Sequence, residues 1–514
     1  MKTLKRRIIV LGKFPLQFLK IMKVVGLITE YNPFHNGHKY HIQKAKEITN
    51  ADFVVVVMSG NFVQRGTPAI LDKYTRTKMA LMMGADIVFE LPISFACASA
   101  EFFAYGAIAV LERLGFVDYL CFGSEAGSLE LLEPVADILQ TEPIEYKNLL
   151  NQYLKKGHSF PTARANALKD YISLFDTTQL YNYTKTQIVE YSETIKKLKN
   201  LSTKELEQFL SSSNNILGIE YLKALKQQNS KIIPFTIKRE GSAYTDTNLA
   251  SNHTYSSATA IRNLLEKENN FSFLENTMPK EVLSLIEPLY KKTFPICEND
   301  FSTLLYYKLR TFAFNYKTKL IKFTGKDQLT TALAENNTLQ QITALSQNNI
   351  QPITIIDSNN TTQQATTLSI NNIAEALTFY GDVSLELAFR IQNQLEHFTT
   401  FKDFAMKLKT KQYTLTRINR CLLHILLELP NTKKELSFIR LLGFRKESSH
   451  LLKQIPEGNV PVLTKMAHGN KLLSGNAKED FEKEIFCSDL YNQIVYTKYG
   501  TVIPSDYKHK IIIF

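Results

Sequence analysis

Apolar residues follow two rhythms along this chain. Short β-branched runs at 24–28, 53–58 and 87–91 read as strands buried on both faces, and further runs fall at 119–122 and 232–238. Between them the spacing turns helical. After Gly37, residues Tyr40, Ile42, Ala45 and Ile48 fall on one side and Lys44, Lys46 and Glu47 on the other; 72–83 and the small-residue stretch 96–114 also read as helices. This alternation predicts an α/β fold, a Rossmann-like parallel sheet with right-handed crossovers.

The segment from about 129 to 210 is mostly helical and interrupts the sheet, with a charged, solvated stretch at 190–207. Asn214-Asn215-Ile216-Leu217-Gly218 opens a helix through Leu225, Arg239 follows the fifth strand, and Ser256-Ser257 cap a helix that carries Arg262. Beyond Pro279 the pattern lengthens into helices, including 415–429 and 438–452, the latter interrupted near Gly443. Residues 336–367, rich in Asn, Gln and Thr, read as loops or a loosely packed surface layer. The expected organisation is a basic leader at 1–21, an α/β domain at 22–278 with its helical insertion, and a mainly helical C-terminal domain at 279–514.

Length supports that division, since 514 residues exceed what one core organises. No apolar run reaches the roughly 18–20 residues of a membrane-spanning helix. The five cysteines, Cys97, Cys121, Cys297, Cys421 and Cys487, lie far apart without metal-ligand spacing, which points to a reducing cytoplasm and no zinc site. Of the net charge of +12, half comes from Lys2, Lys5, Arg6, Arg7, Lys13 and Lys20. Lys13 and Pro15 break this leader's resemblance to a signal peptide, and Met22, just before the first strand, reads as an alternative start. The remaining positive excess is consistent with a polyanionic partner.

The chemistry is concentrated in Ile28-Thr29-Glu30-Tyr31-Asn32-Pro33-Phe34-His35-Asn36-Gly37-His38-Lys39-Tyr40-His41. Asn32-Pro33 stops the first strand, and the helix starts near Gly37. The histidines thus sit where a strand's carboxyl end meets a helix amino end, a junction expected to offer free N–H groups to phosphate. His35 and His38 can donate ring N–H groups to a nucleoside triphosphate, while Gly37 admits it close to backbone. Arg262, one turn into its helix, is suited to a fork-like grip on the β- and γ-phosphates. Gly123 and Arg239, at two other strand ends, are suited to the nucleoside; their plainer alternatives are a turn and a surface ion pair.

These motifs, with the loop Gly60-Asn61-Phe62-Val63-Gln64-Arg65-Gly66, make the chain resemble the bacterial tRNA(Met) cytidine acetate ligase family of His-x-Gly-His nucleotidyltransferases. The resemblance covers nearly everything after Met22. It implies a nucleotidyltransferase domain that forms acetyl-adenylate from ATP and acetate, then acetylates N4 of the wobble cytidine of elongator tRNA(Met). It implies ATP contacts along Ile28 to His41 and at Gly123, one of Asn214 and Asn215, and Arg239; the residues themselves suggest His35, His38 and Arg262 as catalytic and Ser256 and Ser257 as further ATP contacts, with plain helix capping as the serines' alternative. Two positions depart from the family: Tyr74 stands where Trp is usual, and Tyr244-Thr245-Asp246 replaces Tyr-His-Asp.

Ser59, Asn61, Gln64, Arg65 and Lys73, with Arg76, form a polar, cationic group expected to orient acetate or pyrophosphate. Arg417, Arg420, Arg440, Arg445 and Lys446 are candidates for tRNA phosphates, with solvated helix faces as the plain alternative. Magnesium is expected to arrive on ATP, since no paired acidic motif marks ligands for it. Two other readings fit the histidine motif: an adenylyltransferase for a small phosphorylated metabolite of pantetheine or nicotinate type, and a catalytically silent RNA-binding module. Oligomeric state is not encoded in these patterns.

Overall fold

Five parallel strands form the centre of one of the chain's two units, and their order shows how that unit was wound. The computed structural model describes residues 22–158, 160–174, 195–239, 258–267, 271–322, 351–356, 362–367, 373–431 and 435–514. The leader at 1–21, Tyr244-Thr245-Asp246, Ser256 and Ser257 lie outside them. Strands β1 (Val24–Thr29), β2 (Phe53–Ser59), β5 (Ile87–Leu91), β6 (Tyr119–Ser124) and β7 (Ile233–Lys238) run parallel in the order β5-β2-β1-β6-β7; β3 (Phe62–Val63) and β4 (Thr67–Pro68) pair separately. Helices cover both faces, which is why these strands are near-continuous apolar runs.

Crossovers α1 (Asn36–Thr49) and α2 (Lys73–Met82) pack on one face with Leu27, Val54 and Val56. On the other, α4 (Ala100–Leu114), preceded by the short α3 (Ile93–Ala96), packs with Val55, Val57 and Phe89. The insertion between β6 and β7 consists of α5 (Leu129–Thr141), α6 (Ile144–Lys155), α7 (Phe160–Leu174), α8 (Thr203–Ser211) and α9 (Ser213–Gln227); α9 returns to pack on α4 and α5. Helix α10 (Ala258–Lys267) carries Arg262.

The structure divides differently from the expected boundary at 278. One unit runs up to Gln64, through Pro68–Cys297, and takes in Lys434–Phe514; the other comprises Arg65–Thr67 and Glu298–Lys433. The second unit is mainly helical: α11 (Ser302–Lys322), α12 (Leu385–Gln394), α13 (Phe401–Leu408) and α14 (Leu415–Leu427) bury Leu305, Leu387, Phe404 and Leu422. It also holds an antiparallel hairpin, β8 (Gln351–Ile356) and β9 (Thr362–Thr367), within the stretch expected to be loop. Among the described residues no helix is long and apolar enough to cross a membrane.

The expected helix at 438–452 is instead β10 (Ile439–Phe444), antiparallel to β5, followed by a short helix Ser449–Leu452; β11 (Val462–Leu463) and β12 (Ile512–Ile513) pair with β10. A strand buried on both faces loses its period of two, so its apolar residues imitate a buried helix. The register sets Arg440 opposite Glu90. There Lys73 Nζ donates to Glu90 Oε1 at 2.8 Å, Asp506 Oδ2 at 2.8 Å and Ser488 Oγ at 2.9 Å, while Arg440 donates to Glu90, Asp506 and the Tyr74 hydroxyl. Burial opposes ionisation of Asp506, but Lys73 and Arg440 prevail and hold its carboxyl well below the usual range. Two predicted site residues, Lys73 and Arg440, are therefore ions inside the fold. Tyr74, where the family has Trp, contributes its hydroxyl to Asp506 at 2.7 Å.

Removing one cation from this buried group strands a carboxylate. Arg440→Ala is expected to cost about 3–5 kcal/mol, measured as a lowered urea midpoint; a midpoint equal to wild type would show that the ions are not mutually dependent.

Candidate active site

Strand order reverses between β1 and β6, and it is outside the carboxyl ends of strands at such a switch point that open α/β sheets take ligands. Three segments converge there: the β1–α1 loop with the histidines, the end of β6 at Gly123–Glu125, and Arg239 after β7. Tyr31, at φ 47°, turns the first loop in the left-handed region, and a cis Asn32–Pro33 bond follows.

His35 is the N-cap of α1, and its Nδ1 accepts the Gly37 N–H at 3.1 Å. In return, the His35 N–H donates to His38 Nδ1 at 3.2 Å. This is the reciprocal geometry of a capping box, with imidazoles in place of the usual Ser and Glu. The rings stack at 3.8 Å, 26° apart, and Tyr31 and Phe34 pack against His38 at 4.9 and 5.4 Å. A nitrogen that accepts an amide proton carries none itself, so both rings are held as Nε2–H tautomers with that donor unspent on the cap. Burial, reinforced by Arg239 and Arg262, pushes the His35 pKa down to about 3; burial and the neighbouring His35 hold His38 well below its usual value. His41 falls to about 4 through burial and Arg239.

The free amides expected at the start of α1 are already engaged. The Asn36 N–H donates to Thr277 O at 2.9 Å, Gly37 to His35 Nδ1, and His38 and Lys39 to His35 O at 2.9 and 3.2 Å. Donors for an anion here are therefore side chains, assisted by the helix dipole. Arg262 donates to Asn32 O at 2.7 Å and Thr259 Oγ1 at 3.0 Å, tying α10 to the histidine loop. The Asn32 side chain serves the fold, its Oδ1 accepting from Ile70 N at 2.8 Å.

The two asparagines of α9 have separate tasks. Asn215, buried, accepts from Ala126 N at 3.0 Å and donates to Phe209 O at 3.1 Å. Asn214 accepts from Arg239 at 3.3 Å. Glu125 holds both, accepting from Asn214 Nδ2 at 2.7 Å and Asn215 N at 2.8 Å. Sequence reading missed Glu125 as an organiser, although it directly follows a strand-ending glycine and serine. A Cβ on Gly123 would stand 3.2 Å from Arg239 Cγ, so glycine leaves room for that side chain.

The polar group around 59–76 is mostly structural. Arg76, fully buried, donates to Leu71 O at 3.0 Å, Glu30 O at 2.7 Å, Ser59 O at 2.9 Å and Gly60 O, drawing together the ends of β1 and β2. Ser59 is fully buried on the face of Val55 and Val57, away from α1, and Asn61 Oδ1 accepts from Lys73 N at 2.9 Å. The Gln64 amide donates to Glu30 Oε1 at 3.0 Å. Half-buried Arg65 belongs to the second unit. Of the nucleic-acid candidates, Arg440 is buried, Arg420 pairs with Asp382 at 2.7 Å, and Arg417 and Arg445 lie over the rings of Tyr413 and Phe514; Lys446 is exposed. Among the described residues no group of three or more His, Cys, Asp and Glu is placed to hold a metal ion.

The HIGH Nucleotidyl Transferase family matches this chain over residues 22–341 and 318–502. A protein named tRNA(Met) cytidine acetate ligase from Acetivibrio thermocellus is 37% identical over 484 residues, 91% of this chain and 94% of that protein. Its namesake from Caldicellulosiruptor saccharolyticus is 39% identical, covering 87% and 88%. Crystal structures of Thermotoga maritima TmcAL, one apo and one bound with alpha-thio ATP, superpose with TM-scores of 0.71 and 0.69 at 27% identity, each covering 96% of this chain and 99% of the other.

Histidines kept neutral by the fold make stability fall in acid. Below about pH 6.5, the ordinary histidine value, the unfolded chain takes up protons that His35 and His41 refuse until about pH 3 and 4. The urea midpoint should therefore drop as pH is lowered from 6.5 towards 4, and His41→Gln should reduce that slope by about one proton's worth. A slope unchanged in the variant would place His41 in contact with water.

Proposed function

The chain belongs to the HIGH nucleotidyl transferase family, among its tRNA(Met) cytidine acetate ligases, and from that premise we propose that it couples ATP to acetylation of a tRNA cytidine. In the first step an acetate carboxylate oxygen attacks the α-phosphorus of ATP; the bond to the bridging oxygen breaks, and pyrophosphate leaves with the electron pair. In the second, N4 of the wobble cytidine of elongator tRNA(Met) attacks the acetyl carbonyl, loses a proton, and releases AMP.

The observation that carries this reading is the interlocked imidazole pair at the switch point between β1 and β6. Bringing an anionic nucleophile to a polyphosphate calls for fixed donors that need no reorganisation. His35 and His38 supply two Nε2–H groups pinned by backbone, and Arg262 supplies a cation for the β- and γ-phosphates. Arg239 and Asn214, beside Gly123, form the nucleoside side, with Asn214 rather than Asn215 as the contact because Asn215 is spent on the fold. Magnesium enters on the phosphates with its own water, as ATP sites commonly arrange it. The relatives match along nearly the whole chain, second unit included, which favours a macromolecular acceptor over a small phosphorylated metabolite. Use of ATP and tRNA, with five free cysteines, fits a cytoplasmic enzyme.

Acetate-dependent exchange of labelled pyrophosphate into ATP, without tRNA, tests the first step. His38→Ala should slow it by about 10²–10³-fold; normal exchange would remove the histidines from the chemistry. Asn214→Ala should raise the KM for ATP at unchanged thermal stability, whereas Asn215→Ala should lower the melting temperature; the opposite pattern would reverse their roles.

A further inference from the structure

The second unit contains a cavity of about 510 Å³ between α12 and the loop joining α13 to α14. It is a groove open to solvent rather than an enclosed pocket. Two hydrogen bonds fix one side of the cavity: Arg390 on α12 donates to Leu408 O at 2.8 Å and Lys407 O at 2.9 Å, tying the last turn of α13, from which the loop departs, to α12. The lining combines a partly exposed ring, Phe389 at 39% exposure, with the amides Asn393 and Gln412, the carboxylate Glu386 and the exposed cation Lys411. At its base, the Tyr413 hydroxyl donates to Glu386 Oε2 at 2.9 Å, which orients the carboxylate.

The stretch from α13 into α14 is basic, while α12 brings Glu386 to the same cavity and Arg420 is paired with Asp382. From Phe404 to Leu427 the sequence holds Lys407, Lys409, Lys411, Arg417 and Arg420 and no acid. Arg417 extends the aromatic surface, its guanidinium 4.9 Å from the Tyr413 ring centroid. An aromatic face, amides suited to base edges, one carboxylate that accepts from a base amino group, and a cationic rim are what an unpaired ribonucleotide requires. A neutral peptide would leave the cation Lys411 unused, and an acidic peptide would bring its carboxylates against Glu386.

We propose that this cavity binds one unstacked nucleotide of the RNA substrate, its base on Phe389 and its phosphate at Lys411. The proposal rests on the tRNA reading above and deepens it, making the second unit a reader of RNA that is separate from the nucleotide chemistry.

The full-length protein tests it with tRNA(Met) transcript, ATP and labelled acetate. Phe389→Ala should raise the KM for tRNA about tenfold, and Phe389→Tyr should restore it. Lys411→Ala should lower the slope of log KM against log salt by about one. Acetate-dependent pyrophosphate exchange should stay at the wild-type rate in all three variants. An unchanged KM in Phe389→Ala and an unchanged salt slope in Lys411→Ala would overturn the cavity assignment while leaving the catalytic reading intact. A parallel loss of exchange would also overturn it, by showing a general structural defect. Wild-type exchange without any tRNA acetylation would overturn the reading above and this inference with it.

Discussion

The site depends on two amide-to-imidazole hydrogen bonds. A helix start must find acceptors for its first N–H groups, and here acceptors include the same imidazoles that we propose hold the phosphates. Because each Nδ1 is occupied from behind by backbone, each ring is fixed in one tautomer and orientation, and stacking at 3.8 Å with Tyr31 and Phe34 alongside removes the remaining freedom. The cost is conformational, and it is met by folding α1 before any ligand arrives. That is preorganisation in the physical sense: donors are aimed in advance, with neutral rings that resist protonation.

Several cations in this protein build the platform. Arg76 gathers the carbonyls of Glu30, Ser59 and Gly60, so the two strands beside the switch point end in register. Lys73 and Arg440 neutralise Glu90 and Asp506 in the interior. Arg262 reaches the histidine loop through Asn32 O, and the fields of Arg239 and Arg262 are felt in the lowered His35 pKa.

Much of this was legible in the sequence. The β-branched runs of β1, β2 and β5 and the helical spacing after Gly37 reported the parallel sheet because each strand is buried on both faces and each crossover on one. The histidine loop was legible because a proline and a glycine bracket it. What could not be read was partnership across long separations. Nothing local distinguishes Lys73, buried beside Asp506, from an exposed lysine, and β10 carries no alternation to mark it as a strand. Amide engagement at the α1 start was hidden too, since Thr277, which takes the Asn36 amide, lies far along the chain.

The first unit is discontinuous in sequence: Lys434–Phe514 supplies strands to a sheet begun at Val24. During synthesis, which proceeds from the amino end, β5 leaves the ribosome with its outer edge bare. It stays so until β10 has been translated, more than three hundred residues later. Glu90 and Lys73 meanwhile lack Arg440, which arrives with β10, and Asp506, which is translated later still. The first unit therefore closes only after the second has been translated, and a chain stalled before Lys434 would hold its histidine loop on an unfinished sheet.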